Sequence, residues 1–292
     1  MATSNMKSLR EKAVLVKFSD SVWTAAKKDE KATKHVLDAH AAKSGAGSFK
    51  SRLVSKAALE HRWDVSHHAR AYHIQHTSPW MDEGVRMVPV RMLKDYTKAM
   101  RTYQAEAEAA DKEFLDHLDD HIREAKVLRG KLFDPADYPS KDVLASKFAF
   151  HLDIMPIPDA ADWRLEGMGV EEMKQMRIAA EGTLTELQKG AVQDLFKRLS
   201  EVVQHMSERL KKDDAKFRNS LIGNVKECVG LVAQLNVTGD VKLEAVRLEI
   251  ETKLSKQDPE ELRDAPAVRS KVAKEADAIL KKMQSYMSPK RV

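Results

Sequence analysis

Five of the eleven histidines in the chain fall within one segment, HRWDVSHHARAYHIQH (residues 61–76). Histidine can bind a metal ion, titrate near neutral pH or donate to an anion, so the segment has three candidate chemistries. Its pattern predicts a helix, and at 100° per residue the imidazoles spread over several faces. Only His73 and His76 share a face at the i, i+3 spacing, so a zinc site would need two further ligands, from His35, His40 or a carboxylate.

A second histidine pair lies in DHLDDH (residues 116–121), where His117 and His121 are four residues apart beside Asp120. This spacing allows two imidazoles of one helix to face the same ion. Histidines flanked by acids on a helix are also typical of a solvated face. We therefore predict no metal site, although His117 and His121 have the best spacing for metal ligands within one helix.

The 61–76 segment also mixes basic groups with aromatic rings, as do surfaces that bind nucleic acid. Cationic side chains bind phosphates, and flat rings stack on unpaired bases. The alternative is that the aromatic residues belong to the core and the histidines to a solvated or interface face. The candidate nucleic-acid-binding residues, including two arginines beyond the segment, are Arg62, Trp63, His67, His68, Arg70, Tyr72, Arg86 and Arg91.

The sequence contains no catalytic or cofactor motif that we can identify. A P-loop is absent, GVEEMKQ (169–175) lacks the glycine pattern of a nucleotide loop, and GSFKS (47–51) does not resemble a nucleophile elbow. The only cysteine, Cys228, excludes an internal disulfide, and its apolar helical surroundings favour a core thiol over a nucleophile. We therefore expect a non-catalytic protein without a cofactor.

The composition of the 292-residue chain predicts a soluble, folded and mainly helical protein. Apolar residues make up 42% and charged residues 33%, whereas glycine (11) and proline (9) are scarce. No apolar run approaches the length of a membrane span, and the N-terminal segment lacks a signal-peptide pattern. These features predict a cytoplasmic protein with no membrane partner.

The net charge of +5 is distributed unevenly along the chain. Residues 1–101 carry +9, residues 102–170 carry −7, and the remainder carries +3. A basic first third suits an anionic partner. The opposite charges equally suit head-to-tail association, in which the basic part of one copy meets the acidic part of the next.

The hydrophobic patterns predict a mostly α fold with a small β element (α+β). AVLVKFSDSVWTA (13–25) and VRMVPV (85–90) predict strands of one small sheet, with FAFHLDIMPI (148–157) as a further strand. Apolar steps of three and four residues predict two long helices, with a bend or break near Gly182 or Gly190 in the second. The predicted helices cover residues 27–43, 53–76, 96–128, 173–210, 214–236, 240–256 and 259–285.

Proline and glycine residues between 131 and 170 mark the predicted domain boundary. A basic α+β part with the first long helix covers residues 1–130, a connection covers 131–170, and a helical part covers 171–292. The long helices must bury their apolar stripes against each other, as an antiparallel helical bundle, or against a neighbouring copy. A homo-oligomer is therefore expected.

Several segments resemble an uncharacterised family of phage and prophage proteins. They are VLVKFSDSVWTAAKKD (14–29), GVRMVPVRML (84–93) leading into a long helix, and FDPADYP (133–139) followed by FAFHLDIMPIP (148–158). Genes of that family often lie near genes for MoxR-type AAA+ ATPases and von Willebrand A-domain proteins. The resemblance covers about the first two thirds of the chain. It implies a phage-encoded protein in the cytoplasm of a bacterial host and identifies no site residues.

Three functions are compatible with these observations. The first is a non-catalytic, oligomeric protein that binds nucleic acid, such as single-stranded DNA during phage recombination or replication. The second is a structural or adaptor protein that assembles with itself or with an AAA+ ATPase. The third is a metal-dependent enzyme that uses His117 and His121 or the 61–76 cluster.

Overall fold

A computed structural model describes residues 9–81, 84–159, 169–212 and 217–287. Its strands and helices confirm the prediction of a mostly α fold with a small β element. The strands are β1 (Ala13–Ser21), β2 (Ala26–Asp29), β3 (Phe49–Arg52), β4 (Ser78–Pro79), β5 (Val85–Pro89) and β6 (Ala149–Met155).

Helices supply most of the described residues. After a helical segment that ends at residue 12, the helices are α1 (Glu30–Ala39), α2 (Ala57–Gln75), α3 (Val90–Asp116), α4 (Leu118–Arg129) and α5 (Lys141–Ala145). The remaining five are α6 (Val170–Leu210), α7 (Ser220–Leu235), α8 (Val241–Lys253), α9 (Pro259–Asp264) and α10 (Pro266–Met287). Short 3-10 turns follow α4 at Gly130–Leu132 and Pro135–Asp137. Within the described ranges, no helix is both long and apolar enough to cross a membrane.

The chain divides into two compact units that are interleaved in sequence. Unit 1 combines Met1–Lys17, Ile74–Tyr96 and Asp153–Val292, and unit 2 combines Phe18–His73 with Thr97–Leu152. The parts 1–130, 131–170 and 171–292 were predicted from local composition, and they stay a prediction. Contacts between residues that are distant in sequence define these units, and local composition carries no direct signal for such contacts.

The four-stranded sheet has the order β4-β5-β1-β6, which confirms the predicted association of its three main segments. Within unit 1, β1 is antiparallel to β5, and Ala13 lies opposite Pro89 while Lys17 lies opposite Val85. Proline residues occupy the ends of β4 and β5, where a missing backbone N–H interrupts the fewest ladder bonds.

The helical part of unit 1 is built around α6, which packs against α7 and α10. Its buried stripe includes Leu199, Val203 and Met206, none of which is measurably exposed. The helix continues without interruption through Gly182 and Gly190, so the chain does not break at either glycine. Packing outweighs the cost of about 1 kcal/mol per glycine in a helix.

Unit 2 has its own apolar core beneath α2, α3 and α4. The core is formed by Trp23, Ala25, Leu53, Val54, Leu59, Phe114, Leu118 and Leu144. The predicted single helix over residues 96–128 is wrong in one respect, because His117 leaves helical geometry (ψ 13°) and separates α3 from α4. Neither proline nor glycine marks this break in the sequence.

Candidate nucleic-acid interface

Arg62, a predicted nucleic-acid contact on α2, is a core residue of unit 2 with 1% of its surface exposed. Its Nε donates to Asp111 Oδ1 (2.7 Å), and its Nη2 donates to Asp20 Oδ1 (2.8 Å). Ser66 accepts a further hydrogen bond from the same guanidinium. The buried cation is thus neutralised within the protein and has no face available to a phosphate.

The other predicted residues of α2 divide between the core and the surface. Trp63 is half-buried against the core of unit 2, and the Tyr72 ring lies 5.9 Å from that of Tyr103. Arg70 is exposed, and its guanidinium lies over the Phe18 ring at 5.8 Å. His67 and His68 are also exposed. Of the six predicted residues on α2, His67, His68 and Arg70 therefore remain accessible.

Arg86 and Arg91 belong to unit 1, where both donate to backbone carbonyls. Arg86 Nη2 donates to the Thr77 oxygen (2.9 Å), and burial, followed by the charge of Arg198, lowers the pKa of Arg86. Arg91 Nε donates to the Gln234 oxygen (2.9 Å) at the C-terminal end of α7. Cations at a helix C-terminus satisfy terminal carbonyls and interact favourably with the helix dipole, so Arg91 has a structural role.

The histidines do not assemble into a metal site in the described part of the chain, where no group of three or more His, Cys, Asp or Glu side chains could hold an ion. The His121 ring stacks on Phe114, and burial lowers the pKa of His121. His117 Nδ1 lies 3.3 Å from Asp120. In the 61–76 segment, His73 is buried, with its ring 5.5 Å from Phe18.

Cys228 is half-buried in α7, as expected of a packing residue. Burial raises the pKa of its thiol to about 11. A thiol with this pKa is almost entirely protonated at neutral pH and is a weak nucleophile. The geometry therefore favours the core interpretation of this residue.

A basic module in unit 2, formed by β2, α1 and β3, presents a second candidate surface. The strands pair antiparallel, with Lys28 opposite Lys50 and Ala26 opposite Arg52. Asp29 ends β2 and caps α1, since its Oδ1 accepts from the Ala32 N–H (2.8 Å). The predicted helix over residues 27–43 was therefore wrong at its start, because residues 26–29 form a strand.

One face of the β2–β3 ribbon is anchored to the rest of unit 2. Lys27 forms an ion pair with Asp137, and Arg129 Nη2 donates to Ser51 Oγ (3.2 Å) on the opposite strand. Arg129 also contacts Asp137 at 3.0 Å. Burial alone would raise the pKa of Asp137, but hydrogen bonds from Lys27 and Arg129 lower it. These contacts fix which side of the ribbon faces away from the core.

The other face of the ribbon carries Lys28, Lys50 and Arg52, because alternate residues of a strand point to opposite sides. All three side chains are exposed. Cβ atoms of directly opposed residues lie about 4.5–5.5 Å apart, so the Lys28–Lys50 pair brings like charges together. Among the described residues, no carboxylate lies within ion-pair distance of any of these three cations.

The charge of the ribbon continues into its neighbourhood. Residues 26–56 contain eight Lys or Arg against three Asp or Glu, and all eight basic side chains are exposed. Phe49, at the start of β3, is 39% exposed, but strand alternation places it on the same face as Ser51, opposite to Lys50. The arrangement suits a polyanion, since it combines a concentrated positive field with few internal counter-charges.

The basic surplus in the first third of the chain was predictable from the sequence, but the ribbon was not. A four-residue strand such as FKSR gives little periodic signal, and AKKD is polar throughout. The lysines at 28 and 50 come together only through pairing across twenty-one intervening residues.

Comparison of the chain with models of protein families, with curated proteins and with solved structures gave no match.

Proposed function

We propose that the chain is a non-catalytic, oligomeric nucleic-acid-binding protein of the phage type, and that the ribbon of Lys28, Lys50 and Arg52 contacts the phosphate backbone. The observation that carries the proposal is the opposed Lys28–Lys50 pair without a neighbouring carboxylate. Like charges directly opposite each other destabilise a sheet, and a bound polyanion removes that repulsion. His67, His68 and Arg70 add accessible donors in the same unit.

The ribbon is suited to contacts that do not depend on base sequence. Lysine binds phosphate as a point charge and carries no bidentate pattern for reading a base edge. Binding should therefore weaken steeply with salt, because each neutralised phosphate releases about 0.9 counterions on duplex DNA and about 0.7 on single strands. The proposal predicts similar affinity for unrelated sequences of equal length.

Fluorescence anisotropy with labelled single-stranded and double-stranded DNA tests this proposal over a range of salt concentrations. The variant K28Q/K50Q removes two phosphate contacts, so the slope of log affinity against log salt should fall by about 1.4 to 1.8. K226Q/K281Q is the matched control, since it removes two exposed lysines from unit 1.

The two variants should differ in their affinity for DNA. Affinity at low salt should fall at least tenfold in K28Q/K50Q and stay within twofold of the wild type in K226Q/K281Q. Absence of binding by the wild-type chain at low salt would refute the nucleic-acid proposal. Equal losses in both variants would show that only the net charge of the protein matters and would refute the assignment to the ribbon.

A second candidate function is that of a self-assembling adaptor, favoured by apolar side chains on the surface of unit 2. Val127 is 86% exposed, Leu128 is 65% exposed, and Leu132 in the following turn is 41% exposed. Exposed apolar side chains that lie together are typical of protein–protein interfaces. We propose a second copy of the chain as the occupant, and an AAA+ ATPase of the kind that the family resemblance implies as a further partner.

Light scattering of the wild type and of V127D/L128D tests this candidate. The wild type should form an oligomer at micromolar concentration, and the double variant should shift to the monomer mass. An unchanged mass in the variant, or a monomeric wild type, would exclude this surface from self-association. A pull-down assay with a MoxR-type AAA+ ATPase tests the heterologous partner separately.

A further inference from the structure

A basic cavity of about 560 Å³ lies in unit 1, between the last turns of α6 and the start of α7. His205 and Arg209 of α6 line one side, and Arg218, Ser220 and Asn224 line the other above Phe217. Among the described residues, those that line the cavity include no carboxylate. The volume lies in the range of about 300–1,000 Å³ that is usual for small-molecule sites.

Helical spacing explains why these polar groups converge. His205 and Arg209 are four residues apart on α6, and Ser220 and Asn224 are four residues apart on α7, so each pair occupies one face of its helix. Arg218 lies two residues before α7 begins. The two helices thus contribute separate sets of hydrogen-bond donors to one cavity.

The two arginines of the cavity differ from most other arginines of unit 1 in having no protein partner. Over the described ranges, neither the Arg209 nor the Arg218 side chain makes a hydrogen bond or ion pair. By contrast, Arg198 Nη1 donates to the Gln75 oxygen (2.7 Å), and Arg247 Nη2 contacts Glu244 at 2.7 Å. Arg209 also lies in the last turn of α6, where a cation offsets the helix dipole, but this role does not account for Arg218.

The rim of the cavity is fixed by Arg263 of α9. Its Nη1 donates to the Phe217 oxygen (3.1 Å) and to Asn219 Oδ1 (2.8 Å), and its guanidinium lies 5.7 Å from the Phe217 ring centre. These contacts hold the segment that carries Arg218. They also occupy the Asn219 side chain, so α7 begins without a side-chain cap.

We propose that this cavity binds a small molecule that carries a phosphate monoester or pyrophosphate group. Guanidinium groups match phosphate oxygens in a bidentate geometry, and those of Arg209 and Arg218 have no partner among the described residues. The Ser220 hydroxyl, the Asn224 amide and one ring nitrogen of His205 supply further donors. The proposed ligand is distinct from the polymer at the ribbon, because the cavity belongs to unit 1 and shares no residue with the ribbon.

Isothermal titration of the full chain with inorganic pyrophosphate tests the inference. We expect one site per chain and a loss of affinity of about tenfold in each of Arg209→Gln and Arg218→Gln, since each removes hydrogen bonds to a charged group. Arg177→Gln is the matched control, because Arg177 is also an exposed arginine of α6 but lies outside the cavity. Thermal unfolding by circular dichroism establishes that each variant is folded.

Two further arms separate this inference from the proposed function. K28Q/K50Q should bind pyrophosphate with wild-type affinity. At matched ionic strength, pyrophosphate should displace no more of a single-stranded oligonucleotide than sodium chloride does, because the oligonucleotide contacts the ribbon and not the cavity. Failure of the wild type to bind pyrophosphate, or equal weakening by Arg177→Gln, would overturn the inference. Loss of oligonucleotide binding in Arg209→Gln and Arg218→Gln, without pyrophosphate binding, would instead identify the cavity as part of the polymer-binding surface.

Discussion

Replacement of Arg62 by methionine removes the only cation that neutralises Asp20 and Asp111 within the core of unit 2, as far as the described residues show. The apolar stem of the side chain is largely preserved by this change. Both carboxylates remain, and the side chain of Asp20 is only 3% exposed. The substitution therefore isolates the contribution of the charge from that of packing.

The expected cost follows from the two hydrogen bonds that the guanidinium donates to these carboxylates, at 2.7 and 2.8 Å. Hydrogen bonds to charged groups contribute about 1.5–3 kcal/mol each. Removing one partner from a buried ion pair typically costs about 3–5 kcal/mol. We therefore expect Arg62→Met to lower the free energy of unfolding of unit 2 by about 3–5 kcal/mol.

The cost should depend on pH because burial raises the pKa of Asp111 even with Arg62 present. Without Arg62 this pKa should rise further. A raised pKa means that the folded state holds a proton that the unfolded state has released, so stability is lost as the pH rises through the folded pKa. The deficit of Arg62→Met should thus be largest near pH 7 and should shrink toward about pH 4.

Hydrogen exchange measured by mass spectrometry on peptides of α2 and α3 is the suitable assay, since it reports on unit 2 separately. Arg70→Met is the control on the same helix, and it should cost no more than about 1 kcal/mol because its guanidinium only covers the Phe18 ring. Adding Asp20→Asn and Asp111→Asn to Arg62→Met should recover much of the loss. A deficit in Arg62→Met below about 1 kcal/mol, or one that is independent of pH, would refute this account of the network.

Three other substitutions or reactions have definite expected outcomes. Phe114→Ala should destabilise the protein by about 3–5 kcal/mol in urea, because Phe114 is 3% exposed and packs on Trp23. Asp240→Ala should cost about 1 kcal/mol by thermal unfolding, since it removes the cap that accepts from the Leu243 N–H at 2.8 Å; Asp240→Ser should restore most of it. Cys228, whose pKa is raised to about 11, should react with iodoacetamide far more slowly in the folded protein than in urea at about pH 8, and faster as the pH rises toward 11. Equal rates in the two states would contradict the burial of the thiol.

The mostly helical fold and the main strands were predictable because their signals are local. Alternating Val14, Val16 and Phe18 indicated β1, and the apolar stripe from Met173 to Leu210 indicated α6. Asp240 and Asp258 lie at the starts of the predicted helices 240–256 and 259–285, and both side chains accept the hydrogen bond of an N-cap. Local patterns of this kind need no knowledge of tertiary contacts.

The candidate site was less predictable because charge alone does not reveal the partners of a side chain. Arg62 and Arg70 lie in the same predicted helix, and the sequence does not distinguish their environments. In the structure, Arg62 is buried between two carboxylates, whereas Arg70 is exposed. The partners Asp20 and Asp111 lie forty-two and forty-nine residues away. The Lys28–Lys50 pair likewise depends on strand pairing that neither short segment signals by itself.

The interleaved chain order of the two units limits which fragments of the protein can contain a complete unit. The unit boundaries fall at 17/18, 73/74, 96/97 and 152/153, inside β1, α2, α3 and β6 respectively. Deletion from either terminus therefore cannot yield unit 2 intact as a contiguous fragment, and one proteolytic nick cannot release it. Exchange of a unit between related genes would require several matched crossovers within regular secondary structure, which favours inheritance of the chain as a whole.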